Sequence, residues 1–422
     1  MSIIEPADLD LRRFLRPGDR IVIGQACGEP TTLIEALIAQ GRDIGGLSAF
    51  VATSFSGIFT LEATESFALS SMGAIGSLRT LTGAHRLGII PCHVSRVGPM
   101  IEDGTLGCDV AFVQVSAEDE NGRHSFGLIG DHTRAAVDRA RVVIAEVNDQ
   151  VPYTPGEGVG AEEIDCAVRV SRRPVQVPPA AIGATDEAIA KNVTSYIEDG
   201  AVLQVGVGAV PDAVLRLLGD RRDMSVHSGM IGDGLVDLIE AGAITNARKQ
   251  IDPGVTVTGA LIGTDRLYRF ADRNPQLRLC ATSYTHDAAV LAQLDRLVTL
   301  NSAMEVDLTG QVNAEQSGPA YLGGTGGQVD FVRAGARSRG GHAVIALPAT
   351  AKGGTVSRIT GRLSGPVTTA RSDVDVIVTE FGAAELTGCP LAERTRRLIA
   401  IAHPDFREDL DRSAFEIRRR GF

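Results

Sequence analysis

Residues 190–217 read AKNVTSYIEDGAVLQVGVGAVPDAVLRL. An amphipathic stretch leads to Gly200 beside an acid, then to a short β-branched strand, a glycine loop and a proline that opens another helix. Residues 11–37, LRRFLRPGDRIVIGQACGEPTTLIEAL, pass through the same succession, with Gly18 and Gly24 recurring at one common offset as Gly200 and Gly206. Two copies are too few for a solenoid, whose repeats are shorter and more numerous. They fit a duplicated α/β domain. The proline-rich stretch RRPVQVPPAAIGA at 172–184 separates the copies, so an N-terminal domain over 1–180 and a C-terminal domain over 181–422 are expected.

Further apolar, β-branched strands are expected at AFVQVS (111–116), RVVIAEV (141–147), AVIALP (343–348) and VDVIVTE (374–380). Continuous apolar strands alternating with helical stretches such as DEAIAKNVTSYIEDG indicate largely parallel sheets covered on both faces. Ligands of such folds collect outside the carboxyl ends of the strands, so the loops after strands are the places to read. A chain of 422 residues exceeds the ~250–300 at which single cores stop growing, which again favours two domains.

Composition narrows the function classes. A net charge of −11 argues against general nucleic-acid binding, which needs a basic face, while leaving room for an anionic small ligand on a local patch. The six cysteines lack CxxC spacing and read as reduced, mostly buried thiols of a cytoplasmic protein, with no metal site. No signal peptide, membrane span or nicotinamide fingerprint is expected: VGVGAV lacks the acid ~20 residues on that a dinucleotide fold would use.

Three loops carry candidate chemistry. In VGVGAVPDAV (205–214), glycines 206 and 208 remove side chains just before a helix start, whose free N–H groups suit a phosphate or an oxyanion. In GGTGGQVDFVRAGA (323–336), a cluster of glycines with apolar flanks indicates a backbone that approaches something closely. In LNSAMEVDLTGQVNAEQSG (300–318), alternation suggests a strand turning at Gly310, and Glu305, Asp307 and Glu315 read as structural carboxylates rather than acid/base groups.

The run NSAMEVDLTGQVNAE, GGTGGQVDF, ALPATAKGGTVSRI, VTEFG and LIAIAHPDFR strongly resembles the acetyl-CoA hydrolase/transferase family. GQACGEPTTLIEAL, GLIGDHTRAAVDRARVVIAEVNDQVPYT and VGVGAVPDAV match it too, in family order and over nearly the whole chain. The resemblance implies two CoA-transferase-type α/β domains with the active site between them and most CoA contacts in the C-terminal half. It further implies coenzyme A or an acyl-CoA as substrate, a small carboxylic acid as partner and a homo-oligomer in the cytoplasm, without nucleic acid or membrane. Carried over by position, Gly206, Val207, Gly208, Ala209 and Val210 line CoA near its thioester. Gly326 and Gly327 pack close to the acyl carbonyl, Lys352 meets CoA phosphates, and Glu380 borders the active site.

One position departs from the pattern. Members of the family resembled carry their nucleophilic glutamate in a motif like H-T-E-M-x-x-D-G, and here it reads His227-Ser228-Gly229-Met230-Ile231-Gly232-Asp233-Gly234. With glycine in that place, no enzyme-bound thioester can form there. Three readings follow: attack from solution by water or a second substrate, with Asp233, His227 or His286 as base; another carboxylate such as Glu305, Glu315 or Glu380 in the missing one's stead; or a CoA-ester binding protein.

Overall fold

The computed structural model describes residues 2–419 and forms two compact units. Unit 1 runs to Pro178 and also takes in Gly229–Asp233 and Val255–Asp287; unit 2 holds Pro179–Ser228, Gly234–Gly254 and the chain from Ala288 onward. Val255–Asp287 joins the rest of unit 1 through bridges between Ile129 and Ala260, Asp131 and Ala281, and Gly156 and Leu279, and Gly229–Asp233 pairs with it through Ile231 and Leu261. Gly156, at φ +139°, comes so close that a methyl group there would meet Leu279 O at 2.0 Å. Only glycine permits that approach.

Unit 1 is built on an eight-stranded sheet of β1 (Ser2–Ile4), β2 (Arg20–Ile23), β3 (Ser48–Phe50), β4 (Ala68–Ser71), β5 (Leu87–Ile89), β6 (Val110–Val115), β7 (Val142–Asn148) and β8 (Cys166–Val170). The order is β1-β8-β7-β6-β2-β3-β4-β5, and every neighbouring pair is parallel. All six residues of β6 are buried, as a strand covered on both faces requires. Helix α1 (Thr31–Ile44) follows β2 and buries Leu33, Ile34, Leu37 and Ile44 on one stripe. The core gathers Val113, Val115, Phe126, Val143 and Val159 around β6 and β7.

In unit 2, β9 (Val202–Val205), β10 (Ser225–Ser228), β11 (Leu297–Ser302), β12 (His342–Ala346), β13 (Val376–Thr379) and β14 (Gly382–Glu385) lie in the order β10-β9-β11-β12-β13-β14. All neighbours are parallel except the final hairpin of β13 and β14. The helices α2 (Ala184–Val193), α3 (Ala209–Arg216) and α4 (Gln328–Arg337) provide connections, and the core centres on Val306, Ile345, Ile377 and Leu398.

The repeat read in the sequence is a repeat of topology. β2 lies between β3 and β6, with β7 and β8 beyond; β9 lies between β10 and β11, with β12 and β13 beyond. Gly18 and Gly200 both adopt left-handed backbones, at φ +85° and +76°, two residues before their strands begin. The strands expected from the apolar runs fall on β6, β7, β12 and β13. VDFV, which follows the glycine cluster, lies in the first part of α4. The turn expected at Gly310 joins the antiparallel strands Glu305–Asp307 and Val312–Asn313, with Gly310 at φ +94°.

Candidate active site

In unit 2 the carboxyl ends of five parallel strands share one sheet edge. β9 runs into Gly206–Val210, β13 ends at Glu380, and α4, the crossover from β11 to β12, starts at that edge because it runs back against the strands. Gly208 caps α3 at φ +131°, a conformation closed to other residues, and a methyl on either Gly206 or Gly208 would meet nothing within 4 Å. Gly327 caps α4, and Gly326 before it sits at φ +55°, again beside open space. Two helix starts with bare backbone thus lie on the edge where such folds bind ligands. Lys352 is exposed at φ +51°, between the short strands Thr350–Ala351 and Val356–Ser357. Glu380 is half-buried and accepts the N–H of Ala349 at 2.8 Å.

The other acids of this unit are held by several donors each. Glu305 accepts from Asn313 Nδ2 and from Ser364 and Gly365. Asp307 accepts from Thr309 and Gln311, each through backbone and side chain. Glu315 accepts from Tyr321 and Thr368 hydroxyls. These bonds tie the Gly310 turn and the segment before Gly323 in place, consistent with their reading as structural groups.

His227 is the third residue of β10 and is wholly buried. Asp233 uses both carboxylate oxygens on the helix Asp265–Ala271: Oδ1 accepts from the N–H groups of Thr264 and Leu267, and Oδ2 from the Thr264 hydroxyl at 2.8 Å. That is the work of a helix cap. His286 is buried, with Nδ1 2.8 Å from Thr285 Oγ1.

Unit 1 brings together a group that sequence reading did not single out. Gly130 and Asp131 donate their N–H groups to Gly259 O at 2.9 and 3.4 Å, and Asp131 O accepts from Thr282 N at 2.8 Å. With its backbone fixed on both sides, at φ +21°, Asp131 presents its carboxylate to Gln25, whose Nε2 donates to Oδ2. A methyl at Gly259 would come within 2.6 Å of Asp131 Oδ1 and 2.9 Å of Gly229 O. The carboxylate therefore borders the backbone of Gly229. Burial pushes Asp131 up to about 7 against the pull of the Gln25 amide, and the neighbouring His132 is pushed down to about 4 by burial alone. Two further buried acids, Glu29 and Glu146, are also raised to about 7 by burial. Glu29 accepts from Ser54, Phe55 and Ser56, and Glu146 accepts the first N–H groups of α1 at Thr32 and Leu33. Gln25 and Asp131 were invisible together because 106 residues separate them.

Family comparisons extend over both units. Residues 9–199 match the acetyl-CoA hydrolase/transferase N-terminal domain, and residues 263–414 match the C-terminal domain. The 4-hydroxybutyrate coenzyme A transferase of Clostridium kluyveri is 40% identical over 93% of this chain and 92% of its own. The chain belongs to the acetyl-CoA hydrolase/transferase family. Solved structures agree: RipA from Yersinia pestis superposes with a TM-score of 0.92 at 32% identity, covering 98% of this chain and 97% of that one. A 4-hydroxybutyrate CoA-transferase from Porphyromonas gingivalis gives 0.83 at 33% identity, covering 99% and 98%. The expected fold class, two α/β domains of the CoA-transferase kind, is thereby borne out, and acyl-CoA is the substrate class of the family. Among the described residues no cluster of His, Cys, Asp or Glu is set to hold a metal ion, and no helix is long and apolar enough to cross a membrane. Cys27, Cys108, Cys166 and Cys280 are buried, and none of the six cysteines is in a disulfide.

Proposed function

We propose that this chain takes a small acyl-CoA and opens its thioester by direct attack from solution, by an acid in CoA transfer or by water in hydrolysis, without a thioester to the protein. The observation that carries this is Gly229, standing where the resembled motif has its glutamate. Double displacement needs a side-chain carboxylate to hold CoA between the two half-reactions, and glycine has no atom for that. An acid from solution can still attack the acyl carbonyl, giving an anhydride and free CoA thiolate that then attacks the other carbonyl. Water in the same place gives the acid and CoA thiol.

What the rest of the site contributes is positioning and charge stabilisation. The bare N–H groups at Gly206–Val210 and at Gly326 and Gly327 suit the pantetheine arm and the oxyanion on the acyl carbonyl. Lys352, exposed on its ribbon, suits a CoA phosphate, and Glu380 borders the same sheet edge. Asp233, spent on capping, and His227, inside the sheet, are less suited than that edge to meet a substrate.

The test follows free thiol from acetyl-, butyryl- and 4-hydroxybutyryl-CoA, with and without added acetate. Thiol release without acid supports hydrolysis, and exchange of labelled acid supports transfer. Binding of CoA esters with neither reaction would make the chain a binding protein and end the proposal. Gly229→Glu should add a CoA thioester on position 229, trapped by borohydride or seen as added mass, that the natural chain never shows.

A further inference from the structure

The carboxylate beside position 229 belongs to Asp131, and we propose that Asp131 is a catalytic base that takes a proton from the water attacking the thioester, which makes hydrolysis the reaction of this site. The inference rests on the reading of Gly229 given above and adds to it the identity of the attacker.

The geometry is confined to unit 1. Asp131 Oδ1 and Gly229 O flank the same face of Gly259, 2.6 and 2.9 Å from where a methyl group would stand there, with Thr285 Oγ1 at 3.5 Å. A side chain at 259 would push the carboxylate and residue 229 apart, and glycine keeps them together. Gly130 does the same for the backbone, since a methyl there would meet Cys280 O at 2.8 Å. The carboxylate's direction is set by backbone bonds to Gly259 and Thr282 and by the Gln25 amide on Oδ2. Groups fixed in this way need no reorganisation when charge develops beside them.

Chemistry then selects the attacker. A carboxylic acid co-substrate is already ionised at neutral pH and has no proton to lose before it attacks. Water does. A base beside the thioester is of use only for a neutral nucleophile, and a base with a raised proton affinity is best matched to neutral pH. In the step, Asp131 accepts one water proton while the water oxygen bonds to the acyl carbon. The C–S bond then breaks, and the thiolate of CoA leaves with the proton from Asp131, giving a free acid and CoA thiol. No further reactant is needed. The titratable groups on the elements around Asp131 are His132, next in the chain, Glu157, which accepts from Ala281 N, and His286, bonded to Thr285. Burial keeps His132 neutral.

The experiment measures acid-independent thiol release and acid exchange by the full chain and by Asp131→Asn, with CoA affinity measured for both. The expected result is a fall of about a hundredfold or more in kcat for hydrolysis, in line with losing a general base, while CoA affinity stays within about twofold. A variant that hydrolyses as well as the natural chain would overturn the role of Asp131 and leave the attack from solution standing. Natural chain that only exchanges acids would do the same. A natural chain that opens no thioester would end both. Should Asp131→Asn fail to fold, Gln25→Leu decides. Removing the amide that favours the charged carboxylate must move the acid limb of the kcat/KM profile to higher pH, and an unmoved limb sinks the proposal.

Discussion

Two loops in this molecule hold the same place in the strand order and make opposite uses of space. Gly24, after β2, is closed in by its own chain: a methyl there would meet Gly28 O at 2.8 Å and Pro30 Cδ at 3.3 Å. Gly206, after β9, faces open space within 4 Å, and so does Gly208. In the first copy the glycine lets the loop fold onto itself and turn Gln25 toward Asp131. In the second it leaves backbone N–H groups bare at the start of α3. The same strand–glycine–helix unit thus holds a side chain in one unit and leaves room for a ligand in the other. The buried acids differ in the same sense. Those of unit 2 are bound by two or more donor residues each, whereas Asp131 of unit 1 has the Gln25 amide and a surrounding that resists its charge.

The largest effect that would sharpen this contrast is on stability against pH. Glu29 and Glu146 are raised by burial from 4.5 to about 7. An acid whose folded value is raised binds its proton more tightly when folded. Its contribution is therefore most favourable below about 4.5, is lost as pH climbs to about 7, and is flat beyond. Glu146→Gln should raise stability at pH 8 by as much as ~3 kcal/mol and change it little at pH 4, read as a shift in melting temperature. An equal shift at both pH values would show that burial does not govern this carboxylate.

Next in size is the glycine pair itself. Gly24→Ala should cost ~1–3 kcal/mol by forcing a methyl against backbone, whereas Gly206→Ala should stay within ~0.5 kcal/mol. The order reverses for substrate: Gly206→Ala should raise KM for acyl-CoA by about tenfold, ~1.4 kcal/mol. Equal melting temperatures for the two variants would break the comparison. Smallest is Lys352→Ala, which should leave melting unchanged and weaken CoA binding about threefold, an effect that shrinks with added salt because the lysine is exposed.

Much of the fold was legible because its signals are local. A buried parallel strand has to be apolar throughout, so the runs at β6, β7, β12 and β13 announced themselves, and the repeated glycines marked equivalent turns. The loops at 206–210 and 323–327 were legible for the same reason: bare backbone before a helix is written in consecutive residues. Asp233 was not. Its place four residues after Gly229 suggested chemistry, but its oxygens cap a helix more than thirty residues away.

By itself the amino-acid order determined the α/β class, the family and the glycine at 229, since each depends on residue type at a fixed place in the chain. The tertiary structure alone decided that residues 229–233 and 255–287 pack with the first unit, and that Asp131, Gln25 and Gly259 meet beside Gly229. No pattern within a window of sequence can encode that meeting, because a carboxylate's proton affinity and reach depend on neighbours that only folding brings to it.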